Sequence, residues 1–264
     1  MSDVDDGAAT FRTPAEAYDR HIGRYGAELA GALIAAAGVR PGDRALDVGC
    51  GPGALTAALA ALLGPEHVAA VDPSEPFAAA CAARLPGVRV EIGAAEALPF
   101  PGDAFDAALA QLVVNFMRDA AAGVREMRRV TRAGGTVAAA VWDYAGEMTI
   151  LRRFWDAAGA LDPAAVALDE GRSMPYCTPE ALGALWTEAG LEDVHVEPVV
   201  VGAAYHGFED LWAPLELGVA PSGAYVAALD DERRRALKEA FRERLGVGDA
   251  PFRLTARAWV VAGR

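Results

Sequence analysis

The segment Ala45-Leu-Asp-Val-Gly-Cys-Gly-Pro-Gly-Ala-Leu-Thr56 is the most informative part of this chain. An apolar strand pattern runs into three glycines at alternate positions, Gly49, Gly51 and Gly53, and a helix pattern begins directly behind them. Glycines let the backbone turn sharply and approach a ligand closely, because they carry no Cβ. The helix N-terminus directs unpaired N–H groups and a positive dipole end into the same space. The segment therefore predicts a ligand-binding turn between a strand and a helix.

A second strand pattern over 67–71 ends in Asp72. An acid at the tip of the second strand of a βαβ unit is typical of an acceptor for ribose hydroxyls. The ligand that these two motifs predict is therefore a nucleoside-containing cofactor.

Two cofactor classes fit the glycine loop. Gly49, Gly51 and Ala54 match the loose dinucleotide pattern G-x-G-x-x-G/A, so an NAD(P)-dependent oxidoreductase is one alternative. Asp47 favours S-adenosylmethionine (SAM) instead, because a carboxylate there could meet a cationic or amino group but would repel a pyrophosphate. No Tyr-x-x-x-Lys pair accompanies the loop, and Lys238 is the only lysine.

Five segments in a row resemble the motifs of class I, seven-stranded SAM-dependent methyltransferases. Leu46 to Gly53 resembles motif I and Val71 to Glu75 resembles the second motif. Segments 93–106, 109–116 and 126–137 resemble the third motif, the fourth strand with its exit, and the helix, Gly-Gly turn and fifth strand. The similarity covers roughly residues 15 to 142. The nearest group is the small-molecule methyltransferases of the ubiquinone and menaquinone biosynthesis type.

This resemblance implies a set of cofactor-binding residues, which share positions in these motifs or in the helical segment before them. The set is Tyr18, Arg24, Asp47, Gly49, Cys50, Gly51, Gly53, Asp72, Pro73, Ala95, Glu96 and Gln111.

Within that set, the resemblance implies that Asp72 binds both ribose hydroxyls and that Pro73 packs on the adenine. The acid that usually follows the third-motif glycine is Ala94 here, which leaves the Ala95 backbone and Glu96 on the adenine side. Gln111 is expected near the methionine part of the cofactor. Tyr18 and Arg24 are expected to reach the methionine carboxylate, which an arginine can hold through charge-assisted, bidentate hydrogen bonds. For Cys50, a role as a small filler of the loop is the alternative to thiol chemistry.

Alternating strand and helix patterns predict an α/β fold with a parallel sheet covered on both faces. Strands are predicted at 44–48, 67–71, 88–92, 105–110 and 135–142, an extended run at 191–201, and a last strand at 252–262. The family implies a Rossmann-like, doubly wound sheet of seven strands, mostly parallel with an antiparallel last strand. We expect a single domain over 1–264, with its core at about 40–142 and 178–264. Helical lid insertions would form a cap from 13–37, 144–176 and 206–246.

Methyl transfer depends mainly on holding the acceptor in line with the sulfonium methyl group. A general base is needed only if the acceptor must lose a proton, and the catalytic residues stay unknown, with His206 as the one candidate base. Five aromatic residues suggest a planar or apolar acceptor, although packing within the lid is the favoured explanation for them: Trp142, Phe154, Trp155, Phe208 and Trp212. The sequence predicts a small, apolar or aromatic organic acceptor without identifying it or the atom that is methylated.

The amino-acid composition limits the classes of molecule that this protein is expected to bind. A net charge of −13 argues against a nucleic-acid substrate, because phosphate binding needs clustered Lys and Arg. No apolar run has the bulk of a membrane span, and we expect a cytoplasmic protein. Three scattered cysteines predict neither a disulfide framework nor a metal site. The sequence does not decide whether the protein forms a homodimer. It also allows the alternative that the protein is a SAM-binding sensor or partner subunit that catalyses no methyl transfer.

Overall fold

A seven-stranded sheet forms the centre of the protein. The computed structural model describes residues 22–218 and 220–264. The strands are β1 (Ala45–Val48), β2 (Val68–Asp72), β3 (Arg89–Ile92), β4 (Phe105–Gln111), β5 (Thr131–Trp142), β6 (His195–Tyr205) and β7 (Phe252–Gly263). Their order is β3-β2-β1-β4-β5-β7-β6. Strands β1 to β5 pair in parallel, and β7 runs antiparallel to both β5 and β6. The predicted fold class is confirmed.

The strand order reverses between β1 and β4. Chain connections from β1 lead outward through β2 to β3, and β4 then returns to the other side of β1. Connections on the two sides of such a point diverge, so a crevice opens beyond the carboxyl ends of the strands. The topology therefore places the ends of β1, β2 and β4 around one opening, with the glycine loop at its centre.

Helices cover the sheet. They are α1 (Gly26–Ala36), α2 (Ala54–Leu63), α3 (Glu75–Arg84), α4 (Ala120–Val130), α5 (Thr149–Leu161), α6 (Pro179–Glu188), α7 (Phe208–Glu216), α8 (Ala220–Ala228) and α9 (Asp231–Leu245). Several begin at side-chain caps, as when Asp119 accepts the Ala122 N–H at 2.9 Å and Thr178 accepts the Ala181 N–H at 3.3 Å. Such caps satisfy N–H groups that have no partner in the first helical turn. Gly246, in a left-handed conformation, ends α9.

The central strands are buried on both faces. Every residue of β1 and of β2 is buried, and the fully buried Leu29 and Leu33 of α1 and Leu59 of α2 join them in one apolar core. Strand β6 lies at the edge and is partly exposed, which is where a strand tolerates Pro198 because the edge needs fewer backbone donors. Among the described residues, no helix has the length and apolar character needed to cross a membrane.

Strand β6 differs from the extended run predicted over 191–201. It begins four residues later, at His195, and continues to Tyr205. The backbone of Glu192 forms two hydrogen bonds with the backbone of Arg264. Asp193 then turns the chain, because it adopts a left-handed conformation (φ 49°). Period-two alternation alone cannot place this turn, because Leu191 is as buried as a strand residue.

The aromatic residues after β5 pack against one another. Phe154 of α5 lies 5.5 Å from Phe241 of α9, and Phe208 of α7 lies 5.9 Å from the same ring. Trp155 lies 5.7 Å from Tyr225 of α8. These edge-on and tilted pairs are typical of aromatic cores. They hold α5, α7, α8 and α9 together as a helical layer, so packing within the predicted lid accounts for most of the aromatic set.

Two buried tryptophans allow a matched test of this core. Trp186 donates its Nε1–H to the Val137 carbonyl of β5 at 2.9 Å, whereas the buried Trp142 Nε1 has no partner among the described residues. Trp186→Phe removes a buried hydrogen bond to a strand carbonyl, whereas Trp142→Phe removes an N–H that makes no such bond. We expect Trp186→Phe to lower the free energy of unfolding by about 1–2 kcal/mol more than Trp142→Phe does. Chemical denaturation measures both, and equal losses would contradict the role of this bond.

Candidate active site

A cavity of about 530 Å³ lies at the carboxyl ends of β1, β2 and β4. Its walls come from the glycine loop, the Asp72–Ser74 turn after β2, residues 94–96 after β3, residues 111–113 after β4, and the segment 116–119. Gly23 and Gly26 close it from the N-terminal side. This volume is in the usual range for sites that bind small molecules and cofactors.

Two positions of the loop are occupied by glycine for different structural reasons. Gly49 has φ 73°, and a Cβ there would lie 2.5 Å from a methyl group of Val113 beyond β4. Gly51 has φ 52°, and a Cβ there would meet nothing within 4 Å. Gly49 is thus required by the packing of two strand ends, whereas the space beside Gly51 belongs to the cavity that it lines.

Asp72 is held rigidly at the floor of the cavity. Its Oδ2 accepts the Gly51 N–H and its Oδ1 accepts the Ser74 N–H, both at 2.8 Å. Burial raises the pKa of this carboxyl above its ordinary value, and the two backbone donors oppose the shift. Each carboxylate oxygen can still accept further hydrogen bonds. Asp72 can therefore accept from a pair of hydroxyl groups, which is the pattern that a ribose presents.

Asp47 is the second buried acid of the cavity wall. It is 1% exposed, its Oδ2 accepts the Thr56 hydroxyl at 2.6 Å, and its Oδ1 has no partner among the described residues. Burial raises the pKa of Asp47 from its ordinary 3.8 to about 7, while the Thr56 hydrogen bond opposes that rise. A cation bound beside Asp47 would restore the ionised form, because an opposite charge nearby favours it.

Gln111 and Glu96 line other parts of the cavity. Gln111 donates its Nε2–H to the Gly26 carbonyl at 3.2 Å, and its buried Oε1 is without a partner in the part of the chain that is described. Glu96 accepts the Asp119 N–H at 3.1 Å, which joins the two segments around the predicted adenine side. Pro73, Ala95 and Cys50 line the cavity as well, while Gly53 lies behind the loop against Cys81.

Three predicted residues lie elsewhere or outside the described chain. Tyr18 precedes residue 22 and is not described. The Arg24 guanidinium pairs with both carboxylate oxygens of Asp210, at 2.5 and 2.9 Å, and does not line the cavity. A role for Arg24 on the methionine carboxylate would require this pair to open. His206 is exposed, also lies away from the cavity wall, and its backbone N–H donates to Asp210.

The sequence reasoning missed several lining residues. Phe77, Phe116 and Met117 form apolar wall, Arg118 lies at the same end, and Thr56 holds Asp47 from behind. A signal existed for Thr56, because it lies in the first turn of the helix that follows the glycine loop. The five aromatic residues named above do not line the cavity, and no described residue of 144–176 or 206–246 does so either.

Comparison with known proteins decides between the two cofactor classes. Residues 46–139 match a family described as a methyltransferase domain. Demethylmenaquinone methyltransferase from Roseiflexus castenholzii is 34% identical over 188 residues, which span 66% of this chain and 78% of that protein. The chain belongs to the class I SAM-dependent methyltransferase family. Its cofactor is SAM, with S-adenosylhomocysteine as the product form.

Other relatives match over shorter stretches. A malonyl-[acyl-carrier protein] O-methyltransferase from Pseudescherichia vulneris is 32% identical over 152 residues, covering 57% of this chain and 58% of that protein. The chain spans less than half the length of the proteins it matches in Streptomyces fradiae and Mycobacterium tuberculosis. A solved structure of a methyltransferase from Anabaena variabilis has a TM-score of 0.58 at 18% identity, over 90% of this chain and 96% of that one. This structural similarity supports the seven-stranded fold described above for this chain.

Gly51 and Gly246 give a matched test of the cavity. Both have left-handed φ, at 52° and 65°, and a Cβ at either would meet nothing within 4 Å, but only Gly51 lines the cavity. We expect each Ala substitution to lower the free energy of unfolding by about 1–2 kcal/mol, through the left-handed backbone alone. Only Gly51→Ala should weaken SAM binding, by roughly tenfold or more. Titration calorimetry measures this, and equal SAM affinities for the two variants would place the cofactor elsewhere.

Asp47 predicts a pH dependence of cofactor binding. Burial raises the pKa of Asp47 to about 7, so without a ligand this carboxyl should ionise as the pH rises through neutrality. SAM carries a sulfonium and an ammonium cation, so it should bind the ionised form more tightly and lower the pKa of Asp47. We expect the Kd of SAM to fall as the pH rises from about 6 to about 8, and Asp47→Asn to flatten this dependence. A wild-type Kd that stays constant over this range would contradict the prediction.

The same pKa shift affects the stability of the empty protein with the opposite sense. Because the folded pKa of Asp47 is raised, its contribution to the free energy of unfolding is fully present below about pH 4 and is lost as the pH rises to about 7. Asp47→Asn should therefore raise the Tm of the empty protein at about pH 8 relative to the wild type. Thermal unfolding without SAM measures this difference.

Proposed function

We propose that this protein transfers a methyl group from SAM to a small organic acceptor that is apolar or aromatic. The observation that carries the proposal is the convergence of the glycine loop, Asp72, Asp47 and Gln111 on one cavity of about 530 Å³. Two buried carboxylates and an amide oxygen match the hydroxyls and cations of SAM, and the glycine loop lets the cofactor approach the backbone closely. The acceptor class is supported by the apolar wall around the cavity and by the acceptor in the name of the Roseiflexus relative.

The cofactor would lie across the strand ends. Its ribose would rest on Asp72, its adenine between Pro73, Phe77 and the Ala95–Glu96 segment, and its methionine end toward Asp47 and Gln111. This assignment follows the positions of the acids, because the cationic end of SAM is best placed beside the carboxylate with an unsatisfied oxygen. The acceptor would then approach from the side of Gly23, Val113 and Phe116.

The described wall of the cavity contains no His, Lys or Tyr side chain. A group that removes a proton must come within hydrogen-bond reach of the acceptor. The carboxylates of the wall are already assigned: Asp47, Asp72 and Glu96 to the cofactor, and Asp119 to the N-cap of α4. We infer that the wall acts by orientation and water exclusion, which in well-ordered systems supply up to about 7–11 kcal/mol of the barrier. Residues 1–21 lie outside this inference, and with them Tyr18 and His21.

Asp72 and Asp162 offer a matched pair for the decisive experiment. Each precedes a proline and accepts the N–H two residues ahead with Oδ1, at 2.8 Å from Ser74 and 2.9 Å from Ala164. We expect Asp72→Asn to weaken SAM binding by roughly tenfold or more, since a buried hydroxyl-binding oxygen is lost. Asp162→Asn should leave the Kd of SAM unchanged. Calorimetric titration with SAM, and with NADH as the alternative ligand, measures both.

Turnover separates an enzyme from a SAM-binding sensor or partner subunit. Formation of S-adenosylhomocysteine is followed with a panel of demethylquinones, phenols and carboxylic acids, with Asp72→Asn as the inactive control. We expect turnover on at least one ring-containing acceptor, lost in Asp72→Asn and kept in Asp162→Asn. Tight SAM binding without turnover on any member of the panel would favour the sensor or partner role.

A further inference from the structure

Two thiols meet beneath the cofactor loop. Cys50, between Gly49 and Gly51, lines the cavity, and Cys81 lies on α3 behind it. Both are buried, at 6% and 0% exposure, and together with Ala70 they form a small packed cluster separate from the main core. Both cysteines are in the free thiol form. Cys81 follows Cys50 by thirty-one positions in the chain, so the loop that would carry SAM packs against a sulfur from a different helix.

The surroundings of Cys81 are built to hold a sulfur close to the loop. Its Sγ lies 3.6 Å from the Thr56 hydroxyl, and Thr56 in turn donates to Asp47. A Cβ at Gly53 would stand 3.0 Å from the same sulfur, so the third glycine of the loop makes room for it. Gly53 is thus explained by its φ of 100° and by Cys81, and it does not line the cofactor cavity.

We propose that Cys50 and Cys81 form a reversible disulfide that closes the cofactor site under oxidising conditions. The geometry that carries this inference is the packing of Cys50, a residue of the cavity wall, and Cys81, a residue of a different element, in one buried cluster. The effect on affinity rests on the proposed position of SAM in this cavity, whereas formation of the bond does not.

Ionisation of the pair supports its reactivity. A hydrogen bond between the two sulfurs lowers the pKa of Cys81 to about 7 and raises the pKa of Cys50. The thiolate is the form that reacts with oxidants, and the pair shares the one proton that remains after its first ionisation. Cys81 is thus the thiolate of the pair, and it lies directly behind Cys50, the residue that a small oxidant entering the cavity would meet first.

The oxidant that fits this access is hydrogen peroxide. A thiolate of the pair attacks one peroxide oxygen, the O–O bond breaks, and a sulfenic acid and hydroxide form; the proton that this thiol released on ionising converts the hydroxide to water. The second sulfur, as its thiolate, attacks the sulfenic sulfur, the S–O bond breaks and the S–S bond forms; the departing hydroxide takes up the proton of the second thiol and leaves as water. Two thiols are oxidised and one peroxide is reduced to two waters, which balances the step.

The bond would move the loop. A disulfide requires the sulfurs to approach to about 2.05 Å, closer than any non-bonded contact. Cys50 is tied by its N–H to the Val71 carbonyl at 3.0 Å, and the neighbouring Gly51 N–H is tied to Asp72. Drawing Cys50 toward α3 therefore displaces the donors that fix Asp72, which is the carboxylate proposed to hold the ribose.

The test treats the full-length protein with a few equivalents of hydrogen peroxide and quenches it with an alkylating reagent. Intact mass and peptide mapping should show loss of two hydrogen atoms and a peptide that links Cys50 to Cys81. The Kd of SAM should rise by roughly tenfold or more and return after treatment with dithiothreitol. Saturating SAM should slow the reaction, because it covers Cys50.

Three variants complete the test. Cys177→Ser, which removes the buried thiol outside this cluster, should still form the bond, whereas Cys81→Ala and Cys50→Ala should not. Oxidation of the wild-type protein and its reversal by dithiothreitol still test the proposal if one of these variants folds poorly. A peroxide-treated wild type without the linked peptide, or with the linked peptide and an unchanged Kd of SAM, would overturn the proposal. Absence of SAM binding in the reduced protein would overturn the proposed function instead, while the linked peptide would still report on the thiol pair.

Discussion

The close approach of two strand ends at the switch point is the constraint on which the site depends. Strands β1 and β4 are neighbours, and the chain leaving each must turn in the same small space. A Cβ at Gly49 would strike Val113, so only glycine lets the loop after β1 pass the segment after β4. Leu112, the residue before Val113, adopts a left-handed φ of 62°, so the backbone after β4 is strained as well. Backbone strain of this kind costs of order 1–3 kcal/mol and is typical of functional sites.

That turn brings the backbone donors of the loop onto the acid of the next strand. The Gly49 and Cys50 N–H groups donate to the Val71 carbonyl, and the Gly51 N–H donates to the Asp72 carboxylate. Asp72 is thereby oriented before any ligand arrives. Preorganised groups of this kind reduce the entropy that binding would otherwise cost.

Burying two acids in one site has an energetic cost. Asp47 and Asp72 are both buried, both have raised pKa values, and the charge of Asp72 adds to the shift at Asp47. A buried acid without an opposite charge is destabilising, and a cationic ligand relieves this cost. The same residues that lower the stability of the empty fold therefore favour a cofactor with positive charge over a dinucleotide with a pyrophosphate.

Sequence alone determined the parts of this protein that depend on local chemistry. The glycine loop, the acid after the second strand and the order of strands and helices are readable because glycine conformation, capping and hydrophobic period act over a few residues. Only the tertiary structure decided where distant segments meet. It paired Arg24 with Asp210, gathered the lid aromatics into their own core, started β6 after a turn at Asp193, and set Cys81 against Cys50. These outcomes depend on distances between residues far apart in the chain, and short-range patterns carry no information about such distances.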